Sequence, residues 1–381
     1  MVEWFSVVSL RCGRKAPLSS MSTPPPVPDG LPIVGQTLAF IQAPLSCLER
    51  WGRTDDDVVR ARIAGQRVCL VTTREAVQQI LVHESENHQK AEIVRDRLGT
   101  LQGGSLVLLE GSEWQQRRET LQSSMAQKRV AAAGSLTTQY ATEMIETWPT
   151  DGTVQVDAQA RELSLSILST ALFDLDIRGE RTPIDEAAED ILARLDLGSV
   201  STYLPEWVPT PTNRRYRQAV STLHDQLDAV VDHRREHELS DGPGSSGTDL
   251  LSTMVAAGLA PEEIRDELIA FLFAGYDSTA TALACTLGLL GDHPEIQADL
   301  RAELAAGLDG KEPTPADLSE LPLLDAVVRE SLRLYPPQYL LFREPTSGVS
   351  VQGYQIDEGT TVVLSPWVLQ RDPQFWDEPA R

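Results

Sequence analysis

Apolar positions recur at helical intervals through most of this chain, and strand-like alternation is confined to regions near its two ends. The helical spacing predicts these helices: 113–126, 135–147, 160–173, 184–196, 213–239, 248–257, 262–290, 294–306 and 321–335. Near the N-terminus, Val58–Ile63 and Arg67–Thr72 flank Ala64-Gly65 and predict a β-hairpin. Strand patterns return at three places: Gly348–Gln352, Tyr354–Ile356 and Thr360–Leu364. We expect one mainly α domain whose small β-sheet joins distant segments.

Three segments fall outside this pattern. Thr23–Gly35 is rich in proline and predicts an extended lead-in on the surface. Glu238–Thr248 is rich in glycine and serine, and predicts a flexible loop inside the domain because helical spacing resumes directly after it. We assign residues 23–381 to a single domain. Residues 1–22 are assigned to an N-terminal extension that is disordered or precedes a true start at Met21.

The longest apolar run, Leu268–Leu290, contains a single charged residue, Asp277. An unpaired buried charge is very costly, so this carboxylate needs a partner or a reaction that uses it. A membrane span is one interpretation, but a central Asp costs about 2.5–3.5 kcal/mol on insertion scales and the flanks are acidic rather than basic. We favour the central helix of a large core, starting at Pro261, ending near Gly291 and bending at Gly275.

The chain is strongly acidic, with 33 basic against 56 acidic residues and a net charge of -23. This balance argues against nucleic acid or an anionic membrane as a partner, since both attract positive charge. A surface rich in acid and poor in lysine favours a halophilic protein over an acidic mesophilic one. The four cysteines, Cys12, Cys47, Cys69 and Cys285, show neither metal-ligand spacing nor a disulfide framework, which is consistent with a cytoplasmic location.

A second group of polar residues lies on the helix that ends at Tyr335-Pro336-Pro337. Glu330 and Arg333 are three residues apart and share a face, and apolar neighbours predict that the pair is buried. Alone, this spacing is a weak signal because most such pairs are solvated.

Together, the two groups carry a family resemblance. Ala274-Gly275-Tyr276-Asp277-Ser278-Thr279 followed by Glu330-Ser331-Leu332-Arg333 resembles the cytochrome P450 family of haem-thiolate monooxygenases. Further motifs agree in order: Trp114-Gln115-Gln116-Arg117-Arg118, Phe342-Arg343, Gly353-Tyr354-Gln355-Ile356 and Leu369-Gln370-Arg371-Asp372-Pro373. The resemblance spans about residues 24–381 and implies a P450 fold, haem b with its iron, and insertion of one oxygen atom from O2 into an apolar organic substrate. It also implies a separate ferredoxin or flavoprotein reductase as electron donor, since the chain has no dinucleotide motif.

Carried over by position, the resemblance implies roles for seven residues. Trp114, Arg118 and Arg343 would bind the haem propionates, and Asp277 and Ser278 would deliver protons in the oxygen chemistry. Glu330 and Arg333 would form a structural ion pair. Arg117 is instead expected to be an exposed helix charge, and Thr279 and Thr281 to be packing residues.

The sequence departs from the family at the iron ligand. The family uses a cysteine on a loop that follows these motifs, but no Cys or His follows Glu330 in this chain. Cys285 belongs to the helix of Asp277 and cannot replace that ligand, so no metal ligand is assigned. We therefore expect a fragment truncated before the cysteine loop, with weak haem retention and little activity of its own. Two smaller departures are Ser278, where the family usually has Thr, and Gln370, where His is common.

Two alternative functions remain at this stage. The chain could be a non-catalytic remnant that binds apolar ligands, or a helical membrane or scaffold protein whose solubility depends on detergent.

Overall fold

The computed structural model describes residues 23–30, 35–122, 127–173, 175–178, 182–241 and 249–379. The predictions for residues 1–22 and for the glycine-rich part of the 238–248 segment lie outside these residues. Glu238–Asp241, expected to be loop, continues the preceding helix.

The helices are α1 Thr37–Gln42, α2 Pro44–Gly52, α3 Arg74–Gln78, α4 Glu92–Gln102, α5 Gly111–Gln122, α6 Gln127–Glu146, α7 Val156–Phe173, α8 Pro183–Leu195, α9 Pro211–Asp241, α10 Leu250–Ala256, α11 Pro261–Asp292, α12 Pro294–Leu308, α13 Pro322–Leu334 and α14 Pro366–Leu369. The strands are β1 Val58–Ile63, β2 Gln66–Val71, β3 His88–Gln89, β4 Leu341–Pro345, β5 Val349–Val351, β6 Tyr354–Ile356 and β7 Thr361–Leu364. The nine predicted helices and the predicted hairpin are confirmed, and most ends differ by at most four residues. The exceptions are α6, which begins eight residues before the predicted start at 135, and the predicted end of α5 at 126, which lies outside the described residues.

The main sheet joins distant parts of the chain, as the sequence predicts. Its strand order is β1-β2-β7-β4-β3. β2 pairs in parallel with β7, placing Cys69 beside Val362 across nearly three hundred residues. β7 pairs antiparallel with β4, and β5 and β6 form a separate two-stranded sheet. β4 therefore lies between β7 and β3 in this sheet.

The β1–β2 hairpin turns at Ala64 and Gly65, which both have positive φ (51° and 84°). That is the type I′ geometry that matches the twist of a hairpin, and glycine adopts it at low cost. The proline-rich lead-in lies against the sheets: Arg60 donates its backbone N–H to the carbonyl of Pro26 at 2.8 Å, and Thr23 bridges to Tyr354. The predicted extended lead-in is confirmed for its described residues.

Helix α11 is the central helix. Its first half is buried, including Leu268, Ile269 and Leu272, and packs into a helical core formed with α7, α8, α9 and α10. Pro261 occupies its first turn, as expected from the sequence. It is continuous through Gly275, and the bend expected there stays a prediction. Within the described residues it is the one helix long and apolar enough to cross a membrane, a test that the core helix of a soluble protein also passes.

Candidate active site

Asp277 and Ser278 on α11 are half-exposed, and Asp277 contacts α7. One carboxylate oxygen of Asp277 lies 3.6 Å from Nε of Arg161, and both side chains are 43% exposed. The Ser278 hydroxyl donates to the carbonyl oxygen of Ala274 at 2.6 Å, one turn back. The carboxylate thus has a loose cationic partner on a neighbouring helix, while the hydroxyl is held against its own helix with its lone pairs still able to accept a hydrogen bond.

Gly275 explains how α11 and α7 come so close near Asp277. A Cβ at Gly275 would lie 2.9 Å from both terminal methyl carbons of Leu168 on α7, closer than side chains tolerate. The glycine therefore allows close packing of α11 against α7, the helix that carries Arg161.

A group of donors lies at the start of α5 and on β4. Trp114 is half-buried, and the guanidinium of Arg118 lies 5.1 Å from the centre of its ring. Arg343 is half-buried on β4, and burial lowers its pKa, an effect that the nearby Glu110 carboxylate partly offsets. The backbone carbonyl oxygen of Glu110 also accepts a hydrogen bond from the backbone N–H of Trp114 at 3.2 Å. The structure thus brings β4 and the N-terminus of α5 together.

Lys90 lies beside Glu110 and contacts the loop before α5. Its Nζ donates to the carbonyl oxygens of Leu106 and Leu109 at 2.9 and 2.6 Å, and its backbone N–H donates to Oε1 of Glu110 at 2.6 Å. Burial lowers the pKa of Lys90, and the Arg343 charge lowers it further while Glu110 opposes both effects. No role was predicted for Lys90 from the sequence. Its contribution is to hold the loop before α5 in the conformation that positions Trp114.

The donor group fits the propionates of a haem. Among the described residues, neither Arg118 nor Arg343 has a carboxylate within 4.0 Å, although the chain carries 56 acidic residues. A half-buried guanidinium without a carboxylate partner favours an anionic ligand, and a planar guanidinium can bind a carboxylate with two parallel hydrogen bonds. Arg343 is such a half-buried cation, and with the exposed Arg118 and the Trp114 indole N–H it offers suitable donors for a dianionic edge.

The prediction for Arg117 was wrong. Its side chain is 10% exposed and bridges α5 to α11: it donates to Oε1 of Glu267 at 2.8 Å and to Oε1 of Glu263 at 2.5 Å. Glu267 is fully buried and also accepts from the Leu106 N–H at 2.7 Å. Burial raises the pKa of Glu267, and the Arg117 charge opposes that rise.

The neighbouring Asp266 adds a second link between α11 and the loop before α5. Its Oδ2 accepts the Gly104 N–H at 2.7 Å. From the sequence, these two acids were expected only as charges that precede the apolar run Leu268–Leu290. The signal that could have found them is two adjacent carboxylates at the point where an otherwise apolar helix becomes buried.

Arg333 and Glu330 form a bidentate pair at 2.7 and 2.6 Å, but only the arginine is buried. The Arg333 side chain is 6% exposed and that of Glu330 is 47% exposed. The predicted burial is therefore confirmed for Arg333 and wrong for Glu330. Arg333 also donates to the carbonyls of Gln370 and Pro379 at 3.0 Å, and it stacks 4.5 Å from the ring centre of Trp376. It therefore ties α13 to residues 370–379.

Comparison with known proteins gives one consistent result. The sequence profile of the family Cytochrome P450 matches residues 25–381. A cyclooctat-9-en-7-ol 5-monooxygenase from Streptomyces melanosporofaciens is 29% identical over 365 residues, covering 93% of this chain and 77% of that protein. A pentalenene oxygenase from Streptomyces avermitilis is 28% identical over 364 residues, covering 93% and 79%.

Solved structures agree on the fold. One described as retinoic acid bound cyanobacterial CYP120A1 matches with a TM-score of 0.80 and 24% identity over 94% of this chain and 80% of that chain. The heme domain of cytochrome P450DA matches with a TM-score of 0.82 and 23% identity over 95% and 81%. The predicted mainly helical fold with a small sheet is confirmed.

Proposed function

This chain belongs to the cytochrome P450 family, and we propose that it forms the substrate-side and propionate-binding part of a monooxygenase that oxidises an apolar organic molecule. The observation that carries the proposal is that two arginines have no carboxylate within 4.0 Å among the described residues: Arg118, which lies 5.1 Å from the ring centre of Trp114, and Arg343, which is half-buried near Glu110. Family and fold imply a haem, which supplies the activation of O2 when bound. The overall reaction places one oxygen atom in the substrate and releases the other as water, with two electrons and two protons.

We assign the chain's own contributions as follows. Trp114, Arg118 and Arg343 bind and orient the propionates, because an N–H donor and two guanidinium groups satisfy carboxylates that would otherwise be poorly solvated. Asp277 and Ser278 hold and move protons where bulk water is scarce, a role for which an acid beside an alcohol is suited. Glu330 and Arg333 maintain the packing of α13 against residues 370–379.

The electron donor belongs to the same proposal: we propose that electrons come from a separate ferredoxin or flavoprotein reductase. The chain spans 77% and 79% of the length of the two relatives, and no Cys or His follows Glu330 in it, so no residue is assigned as the iron ligand. The acidic composition supports a cytoplasmic, halophilic protein. The names of the relatives and the retinoic acid described in the structural neighbour support an apolar substrate.

The decisive experiment starts with the nucleotide sequence that follows the codon for Arg381, read in every frame. A cysteine loop encoded there would supply the family's iron ligand. The longer protein should then show the thiolate-type Soret band in a reduced carbon-monoxide difference spectrum. A clean stop followed by untranslated sequence would favour the non-catalytic remnant, and a longer protein without that band would contradict the monooxygenase.

A further inference from the structure

Three buried polar side chains without a partner lie where the end of α4 and the loop before α5 cross α11. Glu267, Ser105 and Gln102 are 0%, 0% and 4% exposed. Oε2 of Glu267, Oγ of Ser105 and Oε1 of Gln102 are buried, and none of these atoms has a hydrogen-bond partner among the described residues. A buried polar atom without a partner is destabilising, so three of them at one crossing need a common explanation.

Backbone hydrogen bonds hold these three side chains close together. Ser105 donates its backbone N–H to the carbonyl oxygen of Gln102 at 3.1 Å. The next residue, Leu106, donates its backbone N–H to Oε1 of Glu267 at 2.7 Å. Ser105 therefore lies beside the Glu267 carboxylate, yet its hydroxyl forms a hydrogen bond with neither of the other two unpartnered oxygens. A partner that serves all three atoms has to lie between them.

The charged groups at this crossing leave a negative excess. Four carboxylates and three cations lie there: Glu263, Glu267, Asp266 and Asp228, with Arg117, Arg265 and Lys90. Each guanidinium is shared between two carboxylates, at 2.5 to 3.2 Å. The Lys90 ammonium donates to the carbonyl oxygen of Leu106 at 2.9 Å. One negative charge is left without a cation, and a water molecule between the three oxygens would not compensate it.

We propose that Glu267, Ser105 and Gln102 form a binding site for a monovalent alkali cation, K⁺ or Na⁺. All three ligand atoms are oxygens, which hard cations prefer. Only one of the three belongs to a charged group, and the other oxygen of that carboxylate is engaged by Arg117, so the site suits a single positive charge. The cation connects the end of α4 and the loop before α5 to α11. The site does not depend on the proposed function.

The test compares chloride salts of three cations at constant ionic strength, using urea denaturation of the 381-residue chain. Total salt is held at about 0.1 M while KCl or NaCl replaces choline chloride, whose cation screens charge equally but is too large for the site. KCl or NaCl should raise the urea midpoint by about 0.5 M along a curve that saturates within this range, as expected for a ligand that binds only the native state. The salt that reaches half of the effect at the lower concentration identifies the preferred cation.

Two substitutions remove one ligand each without changing the net charge. Gln102→Leu and Ser105→Ala should both reduce the difference in urea midpoint between the alkali salts and choline chloride. Ser169→Ala is the matched control, because Ser169 is also 0% exposed and its Oγ also lacks a partner, but it lies on α7, next to the residue that contacts Gly275. This control should retain the full difference between the salts.

A direct binding measurement applies even if a variant is too unstable for denaturation. Isothermal titration of KCl and of NaCl into the unsubstituted chain in choline chloride should show one saturable site, which Gln102→Leu removes. Equal urea midpoints in all three salts, or a difference that both ligand variants retain, would overturn the site and leave a water molecule as the simplest shared partner. None of these measurements needs haem, so they fail independently of the carbon-monoxide spectrum that tests the proposed function.

Discussion

At the scale of single residues, Asp277 combines a fixed position with weak restraint. Its contact with Arg161 is longer than a hydrogen bond, and both side chains are 43% exposed. Exposed ion pairs of this kind contribute about 0–1 kcal/mol, so the carboxylate can leave Arg161 at little cost. Ser278 must turn its hydroxyl away from the Ala274 carbonyl before it can donate elsewhere. A movable acid next to a rotatable alcohol is a suitable arrangement for carrying protons.

Asp277→Asn in the haem-loaded longer protein should lower kcat about a hundredfold, because an amide cannot deliver a proton, while the resting absorption spectrum stays the same. Steady-state turnover and the Soret band measure the two effects. Asp292→Asn, at the exposed end of the same helix, is the control and should retain full activity. An unchanged rate in Asp277→Asn would remove this carboxylate from the proton pathway.

Arg343→Leu should weaken haem binding about tenfold, since a charge-assisted hydrogen bond to a propionate is lost. Titration of the 381-residue chain with hemin in the presence of imidazole, followed at the Soret band, measures this without any turnover. Arg74→Leu removes an exposed guanidinium on α3 and should leave the titration unchanged. If both variants bind hemin equally, Arg343 is not a propionate ligand.

At the scale of elements, the sequence predicts the nine helices from α5 to α13 and misses those nearer the two ends, α1 to α4 and α14. α11 and α13 were predictable because their apolar spacing and proline starts are strong. α1 and α2 have only six and nine residues. The polar α4 is stabilised by packing against α11, which no local sequence pattern reveals. Arg117 could not be predicted as buried because its partners, Glu263 and Glu267, lie 146 and 150 residues away.

The α5–α11 link yields a stability prediction. Arg117→Leu leaves the fully buried Glu267 without its cation and should lower the free energy of unfolding by about 3–5 kcal/mol, measured by urea denaturation. Arg215→Leu is the comparison: it removes an ion pair with Asp190 at 3.2 Å whose arginine is 62% exposed, and should cost less than about 1 kcal/mol. Equal costs would contradict a structural role for the buried pair.

The contribution of the Arg117–Glu267 pair to stability depends on pH. Burial raises the pKa of Glu267 above its ordinary 4.5. At pH values between 4.5 and the pKa in the folded state, Glu267 therefore holds a proton in the native state that it has released in the unfolded state. Its contribution to stability is full below 4.5 and declines as pH rises through the folded pKa. Without Arg117 that pKa rises further, so the loss in Arg117→Leu should be smaller at about pH 5 than at about pH 7. An equal loss at both pH values would show that Glu267 is not the charged partner.

At the scale of the whole molecule, the net charge of -23 sets a self-repulsion that folding must overcome. Among the described residues only two carboxylates, Asp266 and Glu267, are buried, so most of the described acids lie on the surface. Surface repulsion is long-ranged, and salt shortens its range from about 10 Å at 0.1 M to about 3 Å at 1 M. The halophilic interpretation therefore makes a prediction about the entire chain rather than any one residue.

The urea midpoint of the 381-residue chain should rise when KCl is increased from about 0.1 M to about 1 M at neutral pH, because screening removes repulsion among the excess carboxylates. The same salt increase near pH 4.5 should have a smaller effect, since many carboxylates are then protonated and less charge remains to be screened. This comparison separates screening from the general exclusion of salt from protein surfaces, which does not depend on carboxylate ionisation. A midpoint that falls with KCl, or rises equally at both pH values, would mean that the acidic surface is not an adaptation to high salt.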